Sequence, residues 1–137
     1  MTDRTGSENP DGLRPRLRVH DAFGDTWDDP SEKELQRLFA GLNLNRPFLV
    51  LEHPDRPNAD QHYLQIALNE DLTMVLEFRD GGPDAHYRAE VPLPAEQGGD
   101  GLVTPVLLGY AACRPGWRGD ALAWQRWDVE QERPRDT

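Results

Sequence analysis

Cysteine and lysine are almost absent from this chain of 137 residues, which has one of each, Cys113 and Lys33. A single cysteine excludes an intramolecular disulfide and is typical of a reducing compartment. No apolar run approaches the length that a bilayer requires, and the first residues lack the apolar centre of a signal peptide. The sequence therefore predicts a cytoplasmic protein that makes no direct membrane contact.

Basic charge is scarce relative to acidic charge, since 25 Asp and Glu stand against 15 Lys and Arg, for a formal net charge of -10. Phosphate groups attract Lys and Arg, so this balance argues against nucleic acid as a direct partner. Solubility alone is the simpler explanation of the acidity. A basic macromolecular partner is the alternative.

The motifs of common catalytic and nucleotide-binding sites are also missing. The pairs Gly81-Gly82 and Gly98-Gly99 lack the lysine or helix start of a phosphate loop, and no G-x-S-x-G or H-E-x-x-H sequence occurs. Cys113 lies near the end of a predicted amphipathic helix, where a small buried thiol is far more common than a nucleophile. We therefore expect no catalytic residue and no cofactor, and we do not interpret the chain as an enzyme.

The histidines offer one possible metal site. His62 and His86 fall on strands of a predicted meander, and with Glu77 or Glu90 they would make a carboxylate–histidine set. A solvated strand face explains the same residues more simply, because their spacing matches no compact metal motif. We expect no metal ligand here, and we interpret the other two histidines as structural or exposed.

The clearest structural signal is a set of three alternating apolar and polar runs within residues 62–91. A period of two residues predicts strands that are buried on one side. The turns between the runs are rich in Asn, Asp and Gly. The predicted apolar face is Leu64, Ile66, Leu68, Met74, Leu76, Phe78, Tyr87, Ala89 and Val91. The predicted solvent face is Gln65, Glu77, Arg79, His86, Arg88 and Glu90.

A helix is predicted before this meander. Asp29 is the expected N-cap, Pro30 suits the first helical position, and Gly41 is expected to end the helix. Four apolar residues at i, i+3, i+4 and i+7 spacing predict the buried stripe. They are Leu35, Leu38, Phe39 and Leu42.

The remaining elements complete an α+β fold. Residues 17–20 are a predicted first strand, and residues 47–52 are an apolar run predicted to be covered on both faces. Thr104-Pro105 predicts the start of a second helix after a loop over residues 92–103, and Leu122 begins a predicted final strand. The expected architecture is an antiparallel sheet of about five or six strands with two helices packed against it. Residues 16–130 form the expected domain, and 1–15 and 131–137 the expected disordered tails.

Several residues are candidates for contact with a partner. Asp21, Asp25 and Asp28 precede the first helix and are not needed to start it. Glu77 and Arg79 lie on the predicted solvent face of the meander. Trp117 and Trp124 are expected to close the core, whereas Trp127 is expected to be partly exposed, as interface anchors often are.

The order of these patterns resembles a known family. The hallmark is V-L-E-F-R-D-G-G at residues 75–82 leading into His86-Tyr87, with a P-F-L-V-L-E strand before it and L-A-W after it. Over residues 27–127 the chain resembles actinobacterial members of the Imm-one family, an immunity class of bacterial polymorphic toxin systems. The segment 92–101 departs from the family pattern.

The resemblance implies a non-enzymatic immunity protein that binds and occludes a cognate toxin domain, with deaminase-type toxins that act on nucleic acid among the expected targets. Such toxins carry basic surfaces, which an acidic inhibitor complements. Two other interpretations stay open. One is a small ligand-binding or regulatory α+β module, and the other, weaker one is an enzyme that uses carboxylates of the meander.

Overall fold

An antiparallel sheet of eight strands, ordered β2-β1-β3-β4-β5-β6-β7-β8, carries two helices on one face. The computed structural model describes residues 14–134. The helices are α1 (Glu32–Ala40) and α2 (Gly99–Ala111). The strands are β1 (Arg18–Asp21), β2 (Thr26–Asp28), β3 (Phe48–Glu52), β4 (His62–Leu68), β5 (Met74–Asp80), β6 (His86–Glu90), β7 (Gln125–Asp128) and β8 (Arg133–Pro134). The α+β class and the two helices are confirmed, and the two strands beyond the predicted number are the short edge strands β2 and β8.

The meander of β4, β5 and β6 forms the centre of the sheet as predicted. Leu64 pairs with Phe78, Ile66 pairs with Leu76, and Leu76 pairs in turn with Ala89. All five side chains are buried on the face that carries the helices. The period of two therefore identified both the strands and the buried face.

Strand β3 differs from the prediction that both of its faces are covered. Leu49 and Leu51 are fully buried, but Phe48, Val50 and Glu52 alternate with them and are only half-buried. The helices cover one face of the sheet, so the apolar residues that point the other way stay partly in contact with solvent. A continuous apolar run was a misleading sign of two-sided burial here.

The first helix begins at a different cap from the predicted one. The N-cap is Ser31, whose hydroxyl accepts a hydrogen bond from the Glu34 amide at 3.1 Å. Asp29 has a left-handed φ of 49°, and its carboxylate accepts hydrogen bonds from the backbone N–H groups of Arg16 and Leu17 at 3.1 and 3.0 Å. Asp29 therefore ties the segment before β1 to the start of α1.

The buried face of α1 is close to the prediction. Leu35, Leu38 and Phe39 are buried in the core, and Leu42 packs against it from just beyond the helix. Gly41 is the C-cap, and its amide donates to the carbonyls of the last turn. The hydrophobic stripe and the glycine stop were both correct.

The second helix begins six residues before the predicted start at Pro105. It opens after Gly98, which has φ +109°, and Pro105 lies inside the helix instead of in its first turn. The Thr104 hydroxyl donates to the Asp100 carbonyl at 2.8 Å, so Thr104 is an internal residue and not a cap. The predicted loop over residues 92–103 was therefore wrong in its second half, because the glycine-rich sequence hid a helix start.

Four aromatic rings join α2 to the sheet and to the segment before β7. Trp117 meets Phe78 at a centroid distance of 4.7 Å, Tyr110 at 5.0 Å and Trp124 at 6.1 Å, each edge to face. Gly109 leaves room for this contact, because a Cβ there would lie 2.9 Å from the Trp117 Cβ. The predicted core role of Trp117 and Trp124 agrees with this packing.

The predicted final strand corresponds to β7, which begins at Gln125, three residues after the predicted start at Leu122. Strand β7 pairs with β6 on one side and with β8 on the other. Strand β8 lies inside the segment that was predicted to be a disordered tail. Residues 1–13 and 135–137 lie outside the described part of the chain, as do the corresponding parts of the tail predictions. Neither helix between residues 14 and 134 is long and apolar enough to cross a membrane.

Candidate partner-binding face

The face of the sheet opposite the helices is a broad mixed surface, which we call the open sheet face. Its side chains alternate with the buried residues along β3 to β7 and are mostly half-buried. His86 is an exception to the predicted solvent face, because it is 1% exposed beneath its contacts with Arg79 and Glu77. The residues that define it are Phe48, Val50, Glu52, Tyr63, Gln65, Ala67, Val75, Glu77, Arg79, His86, Arg88, Glu90 and Trp127. Apolar side chains are denser at β3, and charged side chains are denser at β5 and β6.

A chain of hydrogen bonds crosses the centre of the open sheet face. Arg79 Nε donates to His86 Nδ1 at 3.1 Å, and Arg79 Nη1 donates to Gln61 Oε1 at 3.0 Å. His86 Nε2 lies 2.7 Å from Glu77 Oε1. The antiparallel register of β5 and β6 places Arg79 directly opposite His86, which explains why these groups meet.

The protonation states within this chain follow from the contacts. Nδ1 of His86 accepts a hydrogen bond from Arg79, so Nε2 carries the ring hydrogen and donates a hydrogen bond to Glu77. The hydrogen bond from His86 lowers the pKa of Glu77, although burial of the carboxyl acts in the opposite direction. Glu77 is therefore ionised at neutral pH, and the network holds one cation and one anion in fixed positions.

Guanidinium groups stack on aromatic rings at two points of the same face. Arg88 lies over the Trp127 ring at 4.6 Å from its centroid, and Arg79 lies over the Tyr63 ring at 5.7 Å. Trp127 is half-buried on β7, in agreement with the prediction of partial exposure. Arg, Trp and Tyr are the residue types most enriched at the energetic centres of protein interfaces.

The acidic segment before α1 does not form one exposed patch. Asp21 is 3% exposed, and its carboxylate accepts hydrogen bonds from the Phe23 and Asp25 amides at 3.0 Å each. Arg46 Nε lies 3.0 Å from Asp21 Oδ2 in an ion pair whose angles do not make a hydrogen bond. The structure thus places Asp21 in the interior, where it organises the turn between β1 and β2.

The other two candidates of that segment differ from each other. Asp28 Oδ1 accepts a hydrogen bond from Arg18 Nε at 2.7 Å across β1 and β2. Asp25 is exposed at the turn. The sequence D-A-F-G-D at residues 21–25, with Gly24 at φ +85°, carries the signal of a side-chain-stabilised turn in addition to its charge.

His62 and His86 do not come together. His62 Nδ1 lies 3.5 Å from Asp80 Oδ1, whereas His86 belongs to the chain with Glu77 and Arg79. Strand β5 separates their strands. Within residues 14–134, no group of three or more His, Cys, Asp or Glu has an arrangement that could hold a metal ion.

The prediction that Cys113 is a buried thiol was wrong. Cys113 is exposed, not buried, because α2 ends at Ala111 and the chain turns with a left-handed φ of 56° at Cys113. The thiol lies beside His53, which is buried as a structural residue. Sixty residues separate the two in the sequence, so no local pattern indicated the contact.

Comparison with family models, curated proteins and solved structures gives no match for this chain.

Proposed function

We propose that this protein is a non-enzymatic, immunity-type inhibitor that binds a cognate protein toxin domain through the open sheet face. The observation that carries the proposal is the ordered set of charges and rings on that face. Glu77, Arg79 and His86 hold one another in place, and Arg88 is stacked on Trp127. Side chains that are already fixed lose little entropy on binding, which favours tight association.

Charge complementarity supports a basic protein as the partner. The net charge of -10 attracts a positively charged surface and repels nucleic acid. On the open sheet face itself, Glu52, Glu77 and Glu90 alternate with two arginines. A partner with basic residues and a smaller number of carboxylates would match that pattern and would bind in one orientation.

The shape of the face favours a macromolecule over a small substrate. Two cavities, of about 390 and 300 Å³, are lined by residues of the helices and of the segments beside them, and the second also by the strand ends Leu68 and Met74. A third cavity lies along the loop of residues 54–60. None of these three cavities is lined by a residue of the open sheet face, and a broad sheet surface suits contact with another protein better than enclosure of a small molecule.

The experiment that tests this function is co-expression with a toxin domain. We expect the gene beside this one to encode a protein with a toxin domain at its C-terminus, and we expect the present chain to restore growth to cells that express that domain. The two proteins should also elute together as a complex in size-exclusion chromatography. Continued growth arrest despite a soluble, folded protein, with no complex formed, would overturn the proposal.

A second candidate function rests on the cavity of about 300 Å³ between α1 and the sheet. Phe39, Leu42, Leu68 and Met74 form its apolar walls, and Glu96 is among the polar residues that line it. This site would suit a small apolar ligand with a cationic group. Native mass spectrometry of protein purified from its own cells would detect such a ligand at one per chain. Under the inhibitor proposal we expect the unliganded mass.

A further inference from the structure

A second group of reactive side chains lies at the end of α2, in contact with the loop after β3. The Cys113 thiol is exposed, and its Sγ lies 3.7 Å from His53 Nε2 and 3.9 Å from His53 Nδ1. The guanidinium of Arg56 lies 3.5 Å from the same sulfur. An imidazole and a guanidinium therefore both face the one thiol of the protein.

The surroundings of the His53 ring are unusual for a neutral imidazole. The ring is 1% exposed, with Nδ1 at 2.7 Å from the Arg16 carbonyl and Nε2 at 3.2 Å from the Tyr110 carbonyl. Both oxygens are acceptors, but a neutral ring has only one N–H to donate. One ring nitrogen of a neutral His53 therefore points its lone pair at a carbonyl oxygen.

A thiolate at Cys113 together with an imidazolium at His53 would remove this conflict. An imidazolium donates from both nitrogens, so both carbonyls would be satisfied, and the thiolate would lie between the imidazolium and Arg56. Burial lowers the pKa of His53 and thus opposes this state, while the hydrogen bond to the Arg16 carbonyl favours it. The other charged or titratable groups that act on the ring are Asp55 and Arg56, and Tyr110 packs on it at 4.8 Å.

We propose that Cys113 and His53 form a thiol–imidazole pair, and that Cys113 is a site of thiol–disulfide exchange with low-molecular-weight disulfides. The thiolate would attack one sulfur of the disulfide, so that a new S–S bond forms at Cys113 while the original S–S bond breaks. The other half would leave as a thiolate and take up a proton from solvent. No other oxidant is needed.

Space for the attached group exists beside the thiol. Cys113 lines one edge of the cavity of about 390 Å³ that runs between α1 and α2. Leu35 and Leu108 form apolar walls of that cavity, and Arg16 and Glu32 supply both signs of charge. A small thiol that carries an ammonium and a carboxylate group would be accommodated there.

The test is the rate at which the folded protein reacts with a neutral dipyridyl disulfide, read from the absorbance of the released thiopyridone. Cys113 is the only cysteine, so the signal belongs to this site alone. The reference is a peptide of residues 109–117, which contains the cysteine without His53 or Arg56. We expect the protein to react about tenfold faster than the peptide at neutral pH.

Two variants separate the pair from simple exposure. His53→Asn keeps an N–H that can donate to the Arg16 carbonyl but removes the base, and we expect a drop of about fivefold or more. Arg56→Gln should slow the reaction about twofold to threefold, because it removes the charge beside the sulfur. Arg114→Gln is the matched control, since Arg114 is paired with Glu32 at 3.2 Å, and its rate should equal that of the wild type.

Two results would overturn the proposal. One is a protein that reacts no faster than the peptide. The other is a folded His53→Asn variant that keeps the wild-type rate. If His53→Asn fails to fold, as judged from its thermal melt, Arg56→Gln is compared with Arg114→Gln, and equal rates for these two variants would overturn the proposal. This test is independent of toxin binding, which we propose to occur on the open sheet face.

Discussion

At the scale of single residues, the buried carboxylate of Asp21 stabilises the turn between β1 and β2. Asp21 is 3% exposed, and its carboxylate accepts hydrogen bonds from two backbone amides and faces Arg46. Asp21→Asn would keep one acceptor oxygen but would leave Arg46 without its partner. We expect the free energy of unfolding to fall by about 1–3 kcal/mol. Chemical denaturation measures the loss, and Asp25→Asn in the same turn should change stability by less than about 0.5 kcal/mol.

Glu77 makes stability depend on pH. Its pKa is lowered in the folded protein, chiefly by the hydrogen bond from His86, so its stabilising contribution is complete above the unfolded-state pKa of about 4.3. That contribution is lost as the pH falls through the lower folded-state value. The free energy of unfolding of Glu77→Gln should therefore fall less steeply in acid than that of the wild type.

Denaturant melts between roughly pH 3 and pH 6 would measure this slope, because that window brackets the unfolded-state pKa. Glu90→Gln is the matched control, since Glu90 lies on the same face with its side chain 77% exposed and only a 3.8 Å contact to Arg88. It should keep the wild-type slope. Equal slopes for all three proteins would contradict the assigned hydrogen bond from His86 to Glu77.

At the scale of elements, α1 supplies the layer that covers one face of the sheet. Leu38 is 5% exposed in the centre of its buried stripe. Leu38→Asp would place a carboxylate in the apolar core, and we expect a loss of about 3 kcal/mol or more of unfolding free energy. Gln36→Asp, on the exposed side of the same helix, should be nearly neutral. A wild-type melting temperature for Leu38→Asp would show that the stripe does not pack as described.

Some of these elements could be predicted from the sequence, and others could not. The meander and α1 were predictable, because their apolar residues recur at the periods of a strand and a helix. The start of α2 was not, because Gly98 and Gly99 suggested a loop and Pro105 suggested a first turn. Tertiary packing of Val103, Val106 and Leu107 against the core overrides those local preferences.

The candidate site was predictable only in its outline. Alternation placed Glu77 and Arg79 on one face, since every second residue of a strand shares that face. The hydrogen bonds to His86 depend on the register of β5 against β6, which the alternation does not fix to the residue. The burial of Asp21 depends on Arg46 from a distant loop, and the contact of Cys113 with His53 joins α2 to the loop after β3.

At the scale of the whole molecule, the net charge of -10 determines how a basic partner would approach. Long-range attraction acts mainly on the association rate and is screened by salt. We therefore expect the association rate with the toxin domain to fall about tenfold between low salt and ~0.5 M salt, with little change in the dissociation rate. Stopped-flow or biosensor kinetics would measure both rates. An association rate that does not vary with salt would exclude electrostatic steering.

The central claim is that the open sheet face forms the interface, and the dissociation rate of the complex tests it most directly. Arg88→Ala combined with Trp127→Ala removes the stacked pair at 4.6 Å. Arg37→Ala removes an exposed arginine of α1, on the other side of the sheet, and is the matched control. We predict dissociation at least about tenfold faster for the double variant and unchanged dissociation for the control. A folded double variant that dissociates at the wild-type rate would contradict the claim.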